Sequence, residues 1–150
     1  MTTTCPFCAI ACGDRDDRDD LLVFEDTTAV AFLDHRPVFY GHCLVIPRLH
    51  CATLADLPAA LLQPFFAGVQ LLSRAVEQAM AAEGSFIGIN NHVSQSVPHL
   101  HAHVIPRTRG DGLHGFFWPR LHYRDDRHLL QVRDALRDAV TDLRSPPLSL

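Results

Sequence analysis

The chain has 150 residues, of which 47% are hydrophobic and 20% charged; this is the balance of one folded domain, and its apolar runs fall short of the roughly 20 residues that a membrane-spanning helix needs. A formal net charge of −4 argues against gripping a polynucleotide by its phosphates, which takes clustered Lys and Arg, so any nucleotide bound is expected to be a small molecule. The opening MTTTCPFCAIACGDRDD lacks the basic start and apolar stretch of a secretory signal, so a cytoplasmic location is expected and metal binding or burial explains the cysteines better than disulfides.

Cys5 to Cys12 reads as a short helical turn or tight loop, and the alternating Asp/Arg run to Asp20 as a solvated excursion. Leu21–Glu25 and Ala29–Leu33 flank Asp26-Thr27-Thr28, the pattern of a hairpin. His42–Pro47 is a third strand ended by proline. From Asp56 to about Glu83, apolar residues from Leu57 to Met80 recur every three or four positions, which predicts a long helix closed by Gly84. Pro64 interrupts it, either as a kink or as the first turn of a second helix. Phe86–Asn90 and Leu100–Pro106 are the fourth and fifth strands. A loop over TRGDGLHGFFWPRLHY precedes a second amphipathic helix from Asp125 to about Leu143, and the tail over 144–150 is expected to fray. The sum is an α+β fold, a five-stranded antiparallel sheet with one long helix and a C-terminal helix, in a single domain over 1–150.

Chemistry concentrates in SQSVPHLHAHVIPR, residues 94–107. Side chains alternate along a strand, so His99, His101 and His103 share one face while Leu100, Ala102 and Val104 face the core. Three imidazoles in a row are poor packing, since each carries a polar nitrogen that needs a partner. Two readings survive: a metal site, or a nucleophilic histidine flanked by others that orient it and bind an anion. Cys5-Pro-Phe-Cys8 has the gap that lets two sulfurs reach one tetrahedral ion, and no strand can precede residue 5 as a thioredoxin-type redox motif requires.

HLHAHVI resembles the His-φ-His-φ-His-φ-φ signature of the histidine triad (HIT) superfamily, φ being apolar, and FEDTTAVAFLDHRPVFYGHCLVIPRLH resembles that family's N-terminal half. The resemblance implies a HIT-like fold and a nucleotide hydrolase or transferase. His101 would attack the α-phosphorus of a nucleoside phosphate to give a nucleotidyl-histidine, with release of a nucleoside monophosphate. His103, Gln95 and Ser96 would contact the phosphates and the leaving group. Asp34 would bind the ribose hydroxyls, Phe7, Ile10 and Phe32 would wall the base, and Asn90 would reach the substrate. Ser94 stands where a glycine commonly precedes the glutamine, and the loop from Asn90 is shorter than the usual pattern. The related galactose-1-phosphate uridylyltransferases imply that His50 and His99 complete a structural zinc site with Cys5 and Cys8; Cys12 and Cys51, nearby in sequence, are alternative ligands. A homodimer without nucleic-acid or membrane partners is implied. The leaving group stays open between a nucleotide, an amine and a phosphate-dependent reaction, and the alternative is a nucleotide-binding sensor with little turnover.

Overall fold

The computed structural model describes residues 5–13, 21–113 and 122–144, the last with side chains to 138. The acidic excursion after Gly13, the Phe116–Pro119 cluster and the tail after Arg144 lie outside the described residues. The chain divides into two compact units, one ending at Asp111 and one beginning at Gly112.

The first unit holds a helix α1 (Pro6–Cys12), strands β1 (Leu22–Glu25), β2 (Ala29–Leu33) and β3 (Cys43–Pro47), a 3-10 turn (Leu54–Asp56), a long helix α2 (Ala59–Ala79), and strands β4 (Gly84–Ile89) and β5 (Ala102–Arg107). The strands form one sheet in the order β1-β2-β3-β5-β4, antiparallel throughout. Asp26 makes the first hairpin, its Oδ1 accepting the N–H groups of Thr28 and Ala29.

Strands β2 and β3 are buried on two faces, and period two decides which face each side chain serves. Ala29, Ala31, Cys43, Val45, Ala102 and Val104 pack under Phe65, Val69, Leu72 and Val76 of α2. Val30, Phe32, Leu44 and Ile46 lie on the other face, against Phe7 and Ala11 of α1. Gly68 lets α2 sit close, since a Cβ there would stand 3.3 Å from the Phe24 ring.

Helix α2 is shorter than its periodicity predicts, for local reasons. Leu57 precedes proline and is held extended at ψ 122°, so the helix starts only after Pro58. It runs as one helix through Pro64, at the cost of the bond that residue 64 would give the Ala60 carbonyl. At the other end Gly84 does not cap it; Ala81 takes the left-handed turn at φ 49°, and Gly84 opens β4 opposite Arg107. By length and composition α2 also passes as a membrane-crossing helix, which uninterrupted apolar runs had not suggested, but its apolar stripe covers the sheet.

The second unit contains α3 (Asp126–Arg144), capped by Asp125, whose Oδ1 accepts the His128 N–H at 2.7 Å.

Candidate functional site

Strand β5 begins at Ala102, so His99 and His101 lie in the extended run leading into it rather than in the ladder. That run is held by the Leu100 N–H, which donates to the Cys51 carbonyl at 2.7 Å. The expected alternation still holds there: Leu100, Ala102 and Val104 are fully buried toward α2, while His101 and His103 line a cavity on the opposite face.

The three rings are set in different chemical states by what each one's other nitrogen touches. His99 Nε2 lies 2.9 Å from the Pro47 carbonyl, an oxygen that can only accept, so the proton is on Nε2 and Nδ1 keeps its lone pair. His101 Nδ1 lies 2.7 Å from the His99 carbonyl; here the proton is on Nδ1, and Nε2 is left with the lone pair. His103 Nδ1 lies 2.9 Å from Nε2 of His42.

The His42 pairing sets the tautomer of His103. The Val38 N–H donates to His42 Nδ1 at 3.2 Å, so the His42 proton is on Nε2 and is given to His103 Nδ1. His103 must then carry its own proton on Nε2, as a donor. Burial, the neighbouring His101 and His42, against a smaller opposing pull from Asp34, bring the His103 pKa down to about 4. Burial likewise lowers that of His42, with Asp34 partly opposing. Both rings are neutral near pH 7. His42, to which sequence reasoning assigns no role, pairs with His103 at the site; the turn that delivers it needs Gly41, which sits at φ 90° with Met80 2.6 Å from where a Cβ would be.

The cavity encloses about 590 Å³ between α1 and the sheet, a size that suits a small ligand. Phe7, Ile10 and Phe32 supply apolar wall, Asp34 and Ser96 polar groups, and His101 and His103 the imidazole end. Phe7 stands edge-on to Phe32 and to His101, with ring centres 5.6 and 5.3 Å apart. Asp34 is shaped by an Asx turn, its Oδ1 accepting the Arg36 N–H at 2.8 Å, and its Oδ2 lies 3.7 Å from His42 Nδ1.

Two residues expected at the site do not line this cavity. Gln95 donates through Nε2 to the Ala52 carbonyl at 2.6 Å and accepts the His92 N–H at 3.0 Å, so both ends of its amide organise the loop. Asn90 is likewise outside the lining, and neighbouring Asn91 accepts the Leu54 N–H. The shortened loop turns through left-handed residues His92 and Ser94, at φ 66° and 59°. Ser94 is where a glycine would relieve strain.

A second cluster lies beside the first. The ligand atoms of Cys5, Cys8, His50 and His99 all fall within 4.8 Å of one another. His99 Nδ1 has Cys5 Sγ at 3.5 Å, Cys8 Sγ at 3.6 Å and His50 Nδ1 at 3.3 Å, and Cys8 Sγ lies 3.2 Å from His50 Nδ1. One lone pair cannot satisfy three such neighbours by hydrogen bonding, whereas one cation at the centre can. A tetrahedral ion with Zn–N of ~2.0 Å and Zn–S of ~2.3 Å sets N···N at ~3.3 Å and S···N at ~3.5 Å, close to what is found. The Pro47 carbonyl fixes His99 in the tautomer a metal requires. Cys12 and Cys51 are not in the cluster.

A family model described as HIT domain matches residues 15–110. The adenylylsulfatase HINT3 of Arabidopsis thaliana is 33% identical, aligned over 100% of this chain and 73% of its own length. The asymmetrical bis(5'-nucleosyl)-tetraphosphatase of Schizosaccharomyces pombe is 38% identical over 55% of this chain and 47% of its own. A zinc-bound histidine triad family protein from Mycobacterium smegmatis superposes with a TM-score of 0.66 at 33% identity, covering 93% of this chain and 97% of that one.

Proposed function

The chain belongs to the HIT family, and on that premise we propose that it is a nucleotide-binding hydrolase or nucleotidyltransferase acting at the α-phosphate of a dinucleoside polyphosphate or nucleoside phosphoramidate. The observation that carries the reading is the His101 ring, whose Nδ1 is tied to the His99 carbonyl while the ring lines the cavity. Its Nε2 attacks phosphorus, a P–N bond forms, and the bond to the leaving group breaks. Water or another acceptor then takes the nucleotidyl group and the nucleoside monophosphate leaves.

The Nε2–H of His103 is assigned to the phosphoryl oxygens, where developing charge rewards a fixed donor. Ser96 is assigned to the leaving-group side. The Asp34 carboxylate is assigned to the ribose hydroxyls, and Phe7, Ile10 and Phe32 to the base. Gln95 is assigned to holding the loop, since its amide is already engaged. The related hydrolases named above support this class of chemistry without choosing the leaving group.

Zinc is the metal we assign to Cys5, Cys8, His50 and His99, on the donor set, the spacing and the zinc-bound relative. Held there it supplies structure: it ties α1 to the start of the catalytic run. A homodimer in the cytoplasm is proposed too, supported by the edge position of β4 and by exposed Leu62, Phe66 and Ile87 on the α2 side of the sheet.

The test is an acid quench of the zinc-loaded protein during turnover of diadenosine polyphosphate and of an adenosine phosphoramidate. A nucleotidyl adduct on His101, lost with nearly all turnover in His101→Ala, is expected. Turnover retained in that variant removes the assignment, and nucleotide binding without turnover in the wild type leaves a sensor.

A further inference from the structure

Helix α1 has seven residues and no side-chain cap at its start, too short to persist without tertiary support. Yet two of its residues, Phe7 and Ile10, wall the cavity. At one end the helix is tied by Cys5 and Cys8 to His50 and His99. At the other, the Gly13 N–H donates to the Ala9 and Ile10 carbonyls, and Nη1 of Arg48 donates to the Ala11 carbonyl.

The same guanidinium makes two further bonds, Nε to the Asp26 carbonyl and Nη2 to Glu25 Oε2, each at 2.6 Å. One planar fork thus joins the last turn of α1 to the β1–β2 hairpin. Its own backbone is anchored, because the Arg48 N–H donates to the Thr28 carbonyl at 2.8 Å directly after β3. A cation at a helix C-terminus is also favourably placed against the helix dipole. A lysine carries a single point of charge and cannot form this three-way tie.

We propose that Arg48 is a positioning residue for nucleotide binding: it pins the free end of α1, and so sets the distance between the Phe7–Ile10 wall and His101. This rests on the cavity being the nucleotide site. Arg48 is not among the residues that line the cavity, and its guanidinium bonds go to Ala11, Asp26 and Glu25, so its loss acts on affinity and leaves the chemistry alone.

The experiment compares zinc-loaded full-length wild type with Arg48→Met, which keeps the stem and removes the fork, and with Arg48→Lys. In the ligand-free state, amide exchange at Ala9 to Cys12 is expected to rise at least tenfold in Arg48→Met, with β3, α2 and the zinc stoichiometry unchanged. The Kd for adenosine monophosphate and the KM should rise about five- to twentyfold with kcat within twofold, and Arg48→Lys should fall between. Exchange in α1 that stays at the wild-type rate, or that rises equally across β3 and α2, overturns the proposal. If Arg48→Met does not fold, Glu25→Gln removes one partner charge and should move the same quantities two- to threefold; no movement there also overturns it. The exchange measurement uses no nucleotide, so a wild type that fails to bind adenosine monophosphate defeats the functional reading and not the role of Arg48 in holding α1.

Discussion

Replacing His42 tests whether the neutral histidine relay does what its geometry implies. In His42→Ala the His103 Nδ1 loses its donor at 2.9 Å, and the Val38 N–H loses its acceptor. Leaving a buried acceptor without a partner costs about 1–3 kcal/mol. If that cost falls on the transition state, kcat/KM drops about 5- to 150-fold, because 1.4 kcal/mol is a factor of ten. His42→Gln should recover part of the loss, since its amide N–H can reach where the imidazole Nε2–H stood. The assay is kcat/KM for an adenosine phosphoramidate, with zinc content and melting temperature measured on the same preparations. A folded, zinc-replete His42→Ala protein with kcat/KM within twofold of wild type would refute the relay.

Metal analysis of protein purified without chelator should find about one zinc per chain, absent from a Cys5→Ser/Cys8→Ser variant that also melts lower; a metal-free wild type removes the assignment. Ser94→Gly should stabilise the protein by up to about 1 kcal/mol, because a side chain at φ 59° is strained there; a lower melting temperature would contradict the backbone reading. For His103 the folded pKa, about 4, lies below the ordinary 6.5, so the unfolded chain binds more protons between those values. Its contribution is therefore complete above pH 6.5 and lost as pH falls toward 4, about 3 kcal/mol in all. Denaturant unfolding across that window should show a slope that His103→Asn flattens, and an unchanged slope would disprove it.

What was legible in the sequence is what is encoded at short range. Period two sorted the residues from His99 to Val104 onto two faces without knowledge of their partners, and the Cys5/Cys8 gap pointed to the cluster that these cysteines form with His50 and His99. The five strands followed from apolar runs between turn residues. Ends were misjudged where one residue's backbone outweighed the periodicity: Pro58 delays α2, and β4 pairs back to Gly84, leaving Ala81 to make the turn. His42 was missed because its partner is 61 residues away. A signal existed: His42 has the parity of Leu44, and Leu44 stands opposite His103 across the sheet. The loop bonds of Gln95 were not legible for a related reason, since its tie to the Ala52 carbonyl spans 43 residues.

Alternation alone would make the three histidines equivalent, and their distinct states come from outside the motif. The Pro47 carbonyl takes the His99 proton-bearing nitrogen and turns the other toward the cysteines. The carbonyl of His99 accepts from Nδ1 of His101, so the residue that joins the Cys/His cluster also sets the tautomer of the nucleophile proposed here. His42 does the same for His103 with opposite polarity, giving a lone pair on one ring beside a proton on the next. A shift in His99 on removal of the proposed zinc would therefore reach His101 through a single hydrogen bond, whereas His103 depends on the turn at Gly41. Zinc removal and His42 substitution should thus disturb different nitrogens of one site: combined, their effects on kcat/KM should add, and strong coupling between them would show that the two supports are not separate.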